Sequence, residues 1–254
     1  MTPTIVKYST ASTNRDAVEL AERGAVHGTA VIAETQTMGR GRLGKVWSSP
    51  PGKGLYCSIV IRPRLTPEQF PHLTFVAGLA VAKVIHSLYQ LEPGLKWPND
   101  IYFNMRKCGG ILTESSSLND AEADKFAVVG IGLNVNTRVI DFDTELQNTA
   151  TSLYIESGRE MPIGTVFQEI RTELLRQTEA FELYGFAPVI ARWRKRDFLL
   201  GQRLAWVSVA GTIIEGISLG PDDTGRLHVR DEYGKVHEVL SGDIRLLSPG
   251  GEIM

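Results

Sequence analysis

Residues 39–54 read Gly-Arg-Gly-Arg-Leu-Gly-Lys-Val-Trp-Ser-Ser-Pro-Pro-Gly-Lys-Gly, and such a stretch cannot become a helix. Two prolines and two glycines among residues 50–54 break any helical continuation. Gly39, Gly41 and Gly44 let successive backbone N–H groups converge on an anion, while Arg40, Arg42 and Lys45 add fixed positive charge around it. The segment is therefore a flexible, basic anion loop with Trp47 at its far edge, suited to a polyphosphate or a carboxylate.

Three familiar motifs overlap this string, and context excludes each. Gly39, Gly44 and Lys45 fit a P-loop, but Val46 stands where Mg²⁺ coordination needs Ser or Thr. Gly39, Gly41 and Gly44 fit a dinucleotide fingerprint, which also requires a helix to open at the loop's end. The kinase glycine-rich loop matches too, without an H-R-D or D-F-G downstream.

A chain of 254 residues allows one large domain, or a medium domain with an appendage. The net charge of −2 argues against a dedicated nucleic-acid binder. Cys57 and Cys108 cannot build a disulfide framework and read as buried small hydrophobes of a reduced protein. No apolar signal core opens the chain, and no run reads as approaching the ~18 apolar residues of a membrane span. The five histidines lack metal-ligand spacing. These features predict a soluble, cytoplasmic protein.

Along the chain, Ser12 or Thr13 is placed to cap an amphipathic helix that follows Asn14. Strands are predicted at Thr29–Ala33, Leu55–Ile61, Leu95–Trp97, Asp100–Phe103, Gly110–Thr113 and Phe126–Val135. Helices are predicted over 68–90, 163–184 and 187–196. Past about Leu199 short runs punctuated by glycine indicate a small all-β unit, with the boundary near residues 197–201.

Lys96-Trp97-Pro98-Asn99-Asp100 is a second dense site. A turn there can aim a cation, an amide and a carboxylate in one direction, toward phosphate, base or sugar, and Mg²⁺. It can equally be an Asx-type turn with solvated charges. Lys107 enters a strand through Gly109 and Gly110, either toward a ligand or simply at the surface. Gly130 and Gly132 mark close backbone approach or a bulge, and Asn134 needs a buried partner. Ser12, Thr13 and Asn14 either cap a helix or bind an uncharged polar head group, with Gln36 in the same cavity. Trp47 offers a stacking surface, or packs as a lid. No Ser or Cys nucleophile is paired with a base. Acting together, these groups suit attack of a carboxylate on the α-phosphate of ATP, driven by positioning and charge.

In combination, Ser12-Thr13-Asn14, Gln36 with Gly39-Arg40-Gly41-Arg42-x-Gly44, Trp47-x-Ser49-Pro50, Lys96-Trp97-Pro98-Asn99-Asp100, Lys107-x-x-Gly110-Ile111-Leu112 and Gly130-x-Gly132-x-Asn134 resemble the biotin protein ligases. The strings occur in family order and cover residues 9–136 densely. The resemblance implies an α+β fold: a class II synthetase-like domain over 1–198, with a mixed or antiparallel sheet flanked by helices, and a small SH3-like β-barrel over 199–254. It implies a ligase forming carbon–nitrogen bonds, which uses MgATP to convert biotin to biotinyl-5′-AMP and then biotinylates a lysine of a biotin carboxyl carrier protein.

Carried over by position, Ser12, Thr13, Asn14, Gln36, Gly39, Arg40, Gly41, Lys107, Gly110 and Gly130 would bind biotin. Arg40, Gly41, Arg42, Lys45, Trp47, Lys96, Asn99 and Asn134 would bind ATP. Arg40, Arg42 and Lys107 would be catalytic, and Asp100 would hold Mg²⁺. Lys45 and Leu43 depart from arginines found in relatives, the first losing a bidentate fork. The chain begins directly with the catalytic region, so neither repressor activity nor DNA binding is expected; a homodimer through exposed strands stays open. A lipoate or octanoate ligase, a non-catalytic binding module and an adenylate-type kinase are the competing readings.

Overall fold

The computed structural model describes residues 2–116, 125–207, 213–239 and 243–247. In chain order these form β1 (Thr4–Thr10), α1 (Thr13–Glu22), β2 (Ala30–Gln36), β3 (Gly54–Ile61), α2 (Leu73–Tyr89), β4 (Gly94–Lys96), β5 (Asp100–Phe103), β6 (Arg106–Ser115) and β7 (Ala127–Asn134). Helices α3 (Leu153–Ser157), α4 (Ile163–Tyr184) and α5 (Ala187–Arg194) follow. Strands β8 (Arg203–Val207), β9 (Ile213–Pro221), β10 (Leu227–Arg230), β11 (Val236–Val239) and β12 (Asp243–Leu246) complete the described chain.

The first seven strands make one sheet in the order β1-β2-β3-β7-β6-β5-β4. Only β1 and β2 run parallel; the other neighbours are antiparallel. Every residue of β3 is buried, so this strand is covered on both faces. The period of two divides its side chains between two layers. Leu55, Cys57, Ile59 and Ile61 join the large core with α2, α4 and α5, while Val60 joins Ala17 and Ala21 of α1 on the other face.

Several elements differ from the sequence reading. Strand β1 and helix α3 were not anticipated. The long helix begins at Leu73 rather than 68, because Pro67–His72 winds as a 3-10 segment with Pro71 inside it. Strand β6 begins at Arg106, four residues before the expected Gly110. No register shift interrupts β7 at Gly130 or Gly132, so these glycines do not form a bulge. The reading of no membrane-length apolar run also needs correction. Pro67–Tyr89 is long and apolar enough, yet 67% of its apolar window is buried within the fold, as befits a core helix.

The second sheet runs β11-β10-β9-β8-β12, antiparallel throughout. The expected barrel is not closed: among the described residues β11 and β12 lie at opposite edges, each paired on one side only. Its Leu204, Leu227, Val229, Val239, Ile244 and Leu246 share the core of α2 and α5, so one apolar interior runs under both sheets.

Candidate active site

A cavity of about 320 Å³ opens beside the N-terminus of α1, over the glycines of β6 and β7. All the sequence-predicted site residues line it except Gly39. They come from six separated segments: α1, the end of β2, the glycine loop, the β4–β5 turn, β6 and β7.

At one end the polar groups are buried, uncharged and mutually bonded. Ser12 takes the N-cap position with extended backbone, but its hydroxyl makes no capping bond. Thr13 likewise turns away from the helix. Its N–H donates to Gln36 Oε1 at 2.9 Å, and its hydroxyl is shared between Gln36 Oε1 (3.2 Å) and Ser58 Oγ (2.8 Å). Ser58 Oγ donates to Asn14 Oδ1 at 2.6 Å. Asn14 Nδ2 donates to Leu112 O at 3.1 Å and to Glu114 Oε2 at 2.8 Å. Gln36 Nε2 reaches Ser49 Oγ at 3.1 Å. A Cβ on Gly130 would stand 1.9 Å from Asn14 Oδ1, so only glycine lets the asparagine lie against the sheet.

The other end carries the charge. The glycine loop folds back on itself: Arg40 and Val46 form an isolated antiparallel bridge, and the Gly41 N–H donates to Lys45 O at 2.7 Å. At its tip Arg42–Gly44 makes one 3-10 turn, with Leu43 in the left-handed region at φ 55. Gly39, just outside the cavity, receives the Trp47 N–H on its carbonyl at 3.0 Å, and a Cβ there would meet Trp47 O at 2.3 Å. The loop thereby delivers the indole of Trp47 onto Gly110 and Gly132, which face each other across β6 and β7. A Cβ on Gly132 would come within 2.6 Å of that ring. The buried Trp47 Nε1 finds no hydrogen-bond partner among the described residues.

Lys107 Nζ lies 2.6 Å from Asp100 Oδ1 and 5.5 Å from the centre of the Trp47 ring. Arg42 NH1 is 3.5 Å from Asn99 Oδ1, and Asn99 Nδ2 donates to Ile111 O at 2.7 Å. Burial lowers the Arg42 pKa below the usual arginine value, an effect that Asp100 opposes. The guanidinium stays charged at any physiological pH. Burial therefore leaves it under-solvated, which strengthens its attraction for an incoming anion. Arg40 NH1 pairs with Glu114 Oε1 at 3.1 Å.

The Lys96–Asp100 motif does not aim all its groups one way. Lys96 Nζ lies 3.2 Å from Ile244 O of β12 and 3.4 Å from the Tyr102 hydroxyl. Trp97, followed by a cis Pro98, donates from Nε1 to Gly225 O at 2.8 Å. Asn134 Nδ2 donates to Thr151 O at 2.9 Å, the partner its burial demands. Sequence reasoning missed Ser58 and Glu114. The first hid in an apolar run, and the second read as an ordinary strand carboxylate.

A sheet with a helix N-terminus at one end of its cavity and a basic glycine loop at the other can hold an uncharged polar group and an anion in one site. Residues 6–136 match the Biotin/lipoate A/B protein ligase family, and the chain belongs to it. It is 35% identical over 247 residues to the Biotin–[acetyl-CoA-carboxylase] ligase of Mycobacterium tuberculosis, covering 94% of this chain and 87% of that one. Identity to the Bifunctional ligase/repressor BirA of Bacillus spizizenii is 36% over 235 residues, or 92% and 71% of the two chains. Among solved structures, the biotin protein ligase from Aquifex aeolicus in complex with biotin and ATP superposes with a TM-score of 0.82 at 30% identity, covering 97% of this chain and 99% of that one.

Proposed function

We propose that this ligase joins biotin to ATP, forming biotinyl-5′-AMP and pyrophosphate, and then transfers the biotinyl group to a lysine of a biotin carboxyl carrier domain. One observation carries the reading: an uncharged hydrogen-bonding pocket and a cluster of cations occupy opposite ends of a single cavity. The ureido ring of biotin offers two N–H donors and a carbonyl acceptor. Ser12, Thr13, Asn14 and Gln36 line that end with hydroxyls and amides of the kind that can pair with such a group, and Ser58 behind them holds Thr13 and Asn14 in place. The names of the Mycobacterium and Aquifex relatives point the same way.

In the first step a carboxylate oxygen attacks the α-phosphorus and pyrophosphate leaves. Both partners are anions, so Arg42 and Lys107 lower the barrier by neutralising charge where the two meet. Arg40, Gly41 and Lys45 hold phosphate oxygens along the loop, and Trp47 covers the nucleotide base. Lys96, Asn99 and Asn134 contact the nucleotide. Gly39, Gly110 and Gly130 shape the biotin site by letting Trp47 and Asn14 lie against the backbone. Asp100 is the carboxylate in this cavity that fits a magnesium ion, which when bound would screen phosphate charge. In the second step the carrier's lysine amine attacks the biotinyl carbonyl and AMP leaves, with Lys107 stabilising the carbonyl oxygen. The net charge of −2 supports a ligase without DNA-binding activity.

The test is isotope exchange between pyrophosphate and ATP, with biotin, lipoate and octanoate in parallel. Exchange with biotin alone is expected. Exchange with lipoate or octanoate alone would move the substrate assignment, and no exchange with any acid would remove the enzymatic one.

A further inference from the structure

Glu114 takes no part in the reaction described above, yet its carboxylate bridges Asn14 and Arg40, which both line the cavity. It lies on β6 two residues beyond Leu112, whose carbonyl accepts from Asn14. Oε2 accepts from Asn14 Nδ2 at 2.8 Å, and Oε1 pairs with Arg40 NH1 at 3.1 Å. The glutamate side chain is 27% exposed and that of Arg40 is 53% exposed. One end of the contact is therefore held in the wall, and the other is on the loop.

A primary amide can turn over with little steric change, exchanging oxygen for nitrogen. An ionised carboxylate accepts only, so it binds the nitrogen side of Asn14 and leaves Oδ1 toward Ser58. The second oxygen of the same group draws Arg40, at the base of the folded-back loop, onto the strand that supports Asn14.

We propose that Glu114 is a positioning residue that couples the head-group pocket to the phosphate loop. It fixes the Asn14 amide with one oxygen and anchors Arg40 with the other. The inference rests on the biotin reading above, in which Asn14 meets the ring and Arg40 the phosphates.

Calorimetric titration with biotin, without ATP, tests it on the full chain, and limited proteolysis of residues 39–53 follows the loop. Glu114→Ala is expected to weaken biotin about tenfold, the loss expected from one charge-assisted hydrogen bond. Combined with Asn14→Ala it should add little, since both remove the same contact. Glu114→Gln keeps an acceptor for Asn14 but loses the charge facing Arg40. Biotin affinity should then return to within about twofold of the parent, while loop cleavage quickens. Should Glu114→Ala not fold, Glu114→Gln still separates the two contacts. Parent-like biotin affinity in folded Glu114→Ala, losses that multiply independently with Asn14→Ala, or unchanged cleavage in Glu114→Gln would each overturn the coupling and leave the substrate reading intact. Absence of biotin binding by the parent protein would remove the substrate reading first.

Discussion

The two ends of the cavity are built differently. Ser12, Thr13 and Asn14 are 3–5% exposed, and the bonds joining Thr13, Asn14, Gln36 and Ser58 are 3.2 Å or shorter. At the other end, the loop presents Leu43 and Val46 at 62% and 84% exposure, and Arg42 reaches Asn99 only at 3.5 Å. The uncharged pocket, to which the proposed reaction assigns the acid, is therefore imposed by the sheet and α1 without a ligand. The basic loop, on the same proposal, would be shaped by the anion it holds. Preformed contacts favour affinity and selectivity, since little ordering remains to be done on binding. Contacts completed late favour the transition state, since they need not be satisfied in the ground state.

The strongest challenge to this division is to remove the cations. Lys107→Ala and Arg42→Ala should each slow adenylation about 10²-fold or more, measured as single-turnover pyrophosphate release at saturating biotin. Biotin affinity should fall by much less. Equal losses in rate and affinity would place both cations in ground-state binding and erase the contrast.

Gly130→Ala attacks the preformed end. A methyl group 1.9 Å from Asn14 Oδ1 must displace the amide, and overpacking of this kind costs typically 1–3 kcal/mol. Weaker biotin binding with a lowered melting temperature is expected. A variant that melts lower yet binds biotin like the parent would show that the amide's place does not set affinity.

The smallest effect is expected at the loop tip. Leu43 holds φ 55 and ψ 34 while exposed to solvent. Glycine there relieves left-handed strain of roughly 1–2 kcal/mol but frees the unfolded chain by a comparable amount. Leu43→Gly should thus change stability by no more than about 1 kcal/mol in denaturant titration. A biotin affinity altered beyond about threefold would mean that the two ends are less separate than their geometry implies.

Much of this arrangement was legible in the residues. Strand β3 announced itself by a largely apolar run that ends in Ile59, Val60 and Ile61, and the glycine loop by what it could not become. Elements with weaker signals escaped. Strand β1 is a sheet edge with Val6 and Tyr8 at 74% and 72% exposure, so its pattern carries little imprint of burial. The hydroxyl of Thr13 looked like a helix cap because local sequence cannot reveal Gln36 or Ser58 as its partners. Glu114 was invisible for the same reason: its meaning lies in Asn14, a hundred positions earlier. The open edge of the second sheet likewise depends on which strands find each other, which spacing alone does not decide.

The bonds from Trp97 Nε1 to Gly225 O and from Lys96 Nζ to Ile244 O bear on modularity. A chimaera that grafts the tail of another ligase onto this chain must supply both carbonyls, or it strands an indole N–H and an ammonium at the cavity wall. A split-protein reporter cut near residue 199 would face the same demand, and its halves would also have to rebuild the apolar interior that runs under both sheets. The smaller sheet is thus part of what holds the cavity wall in place rather than a separable appendage.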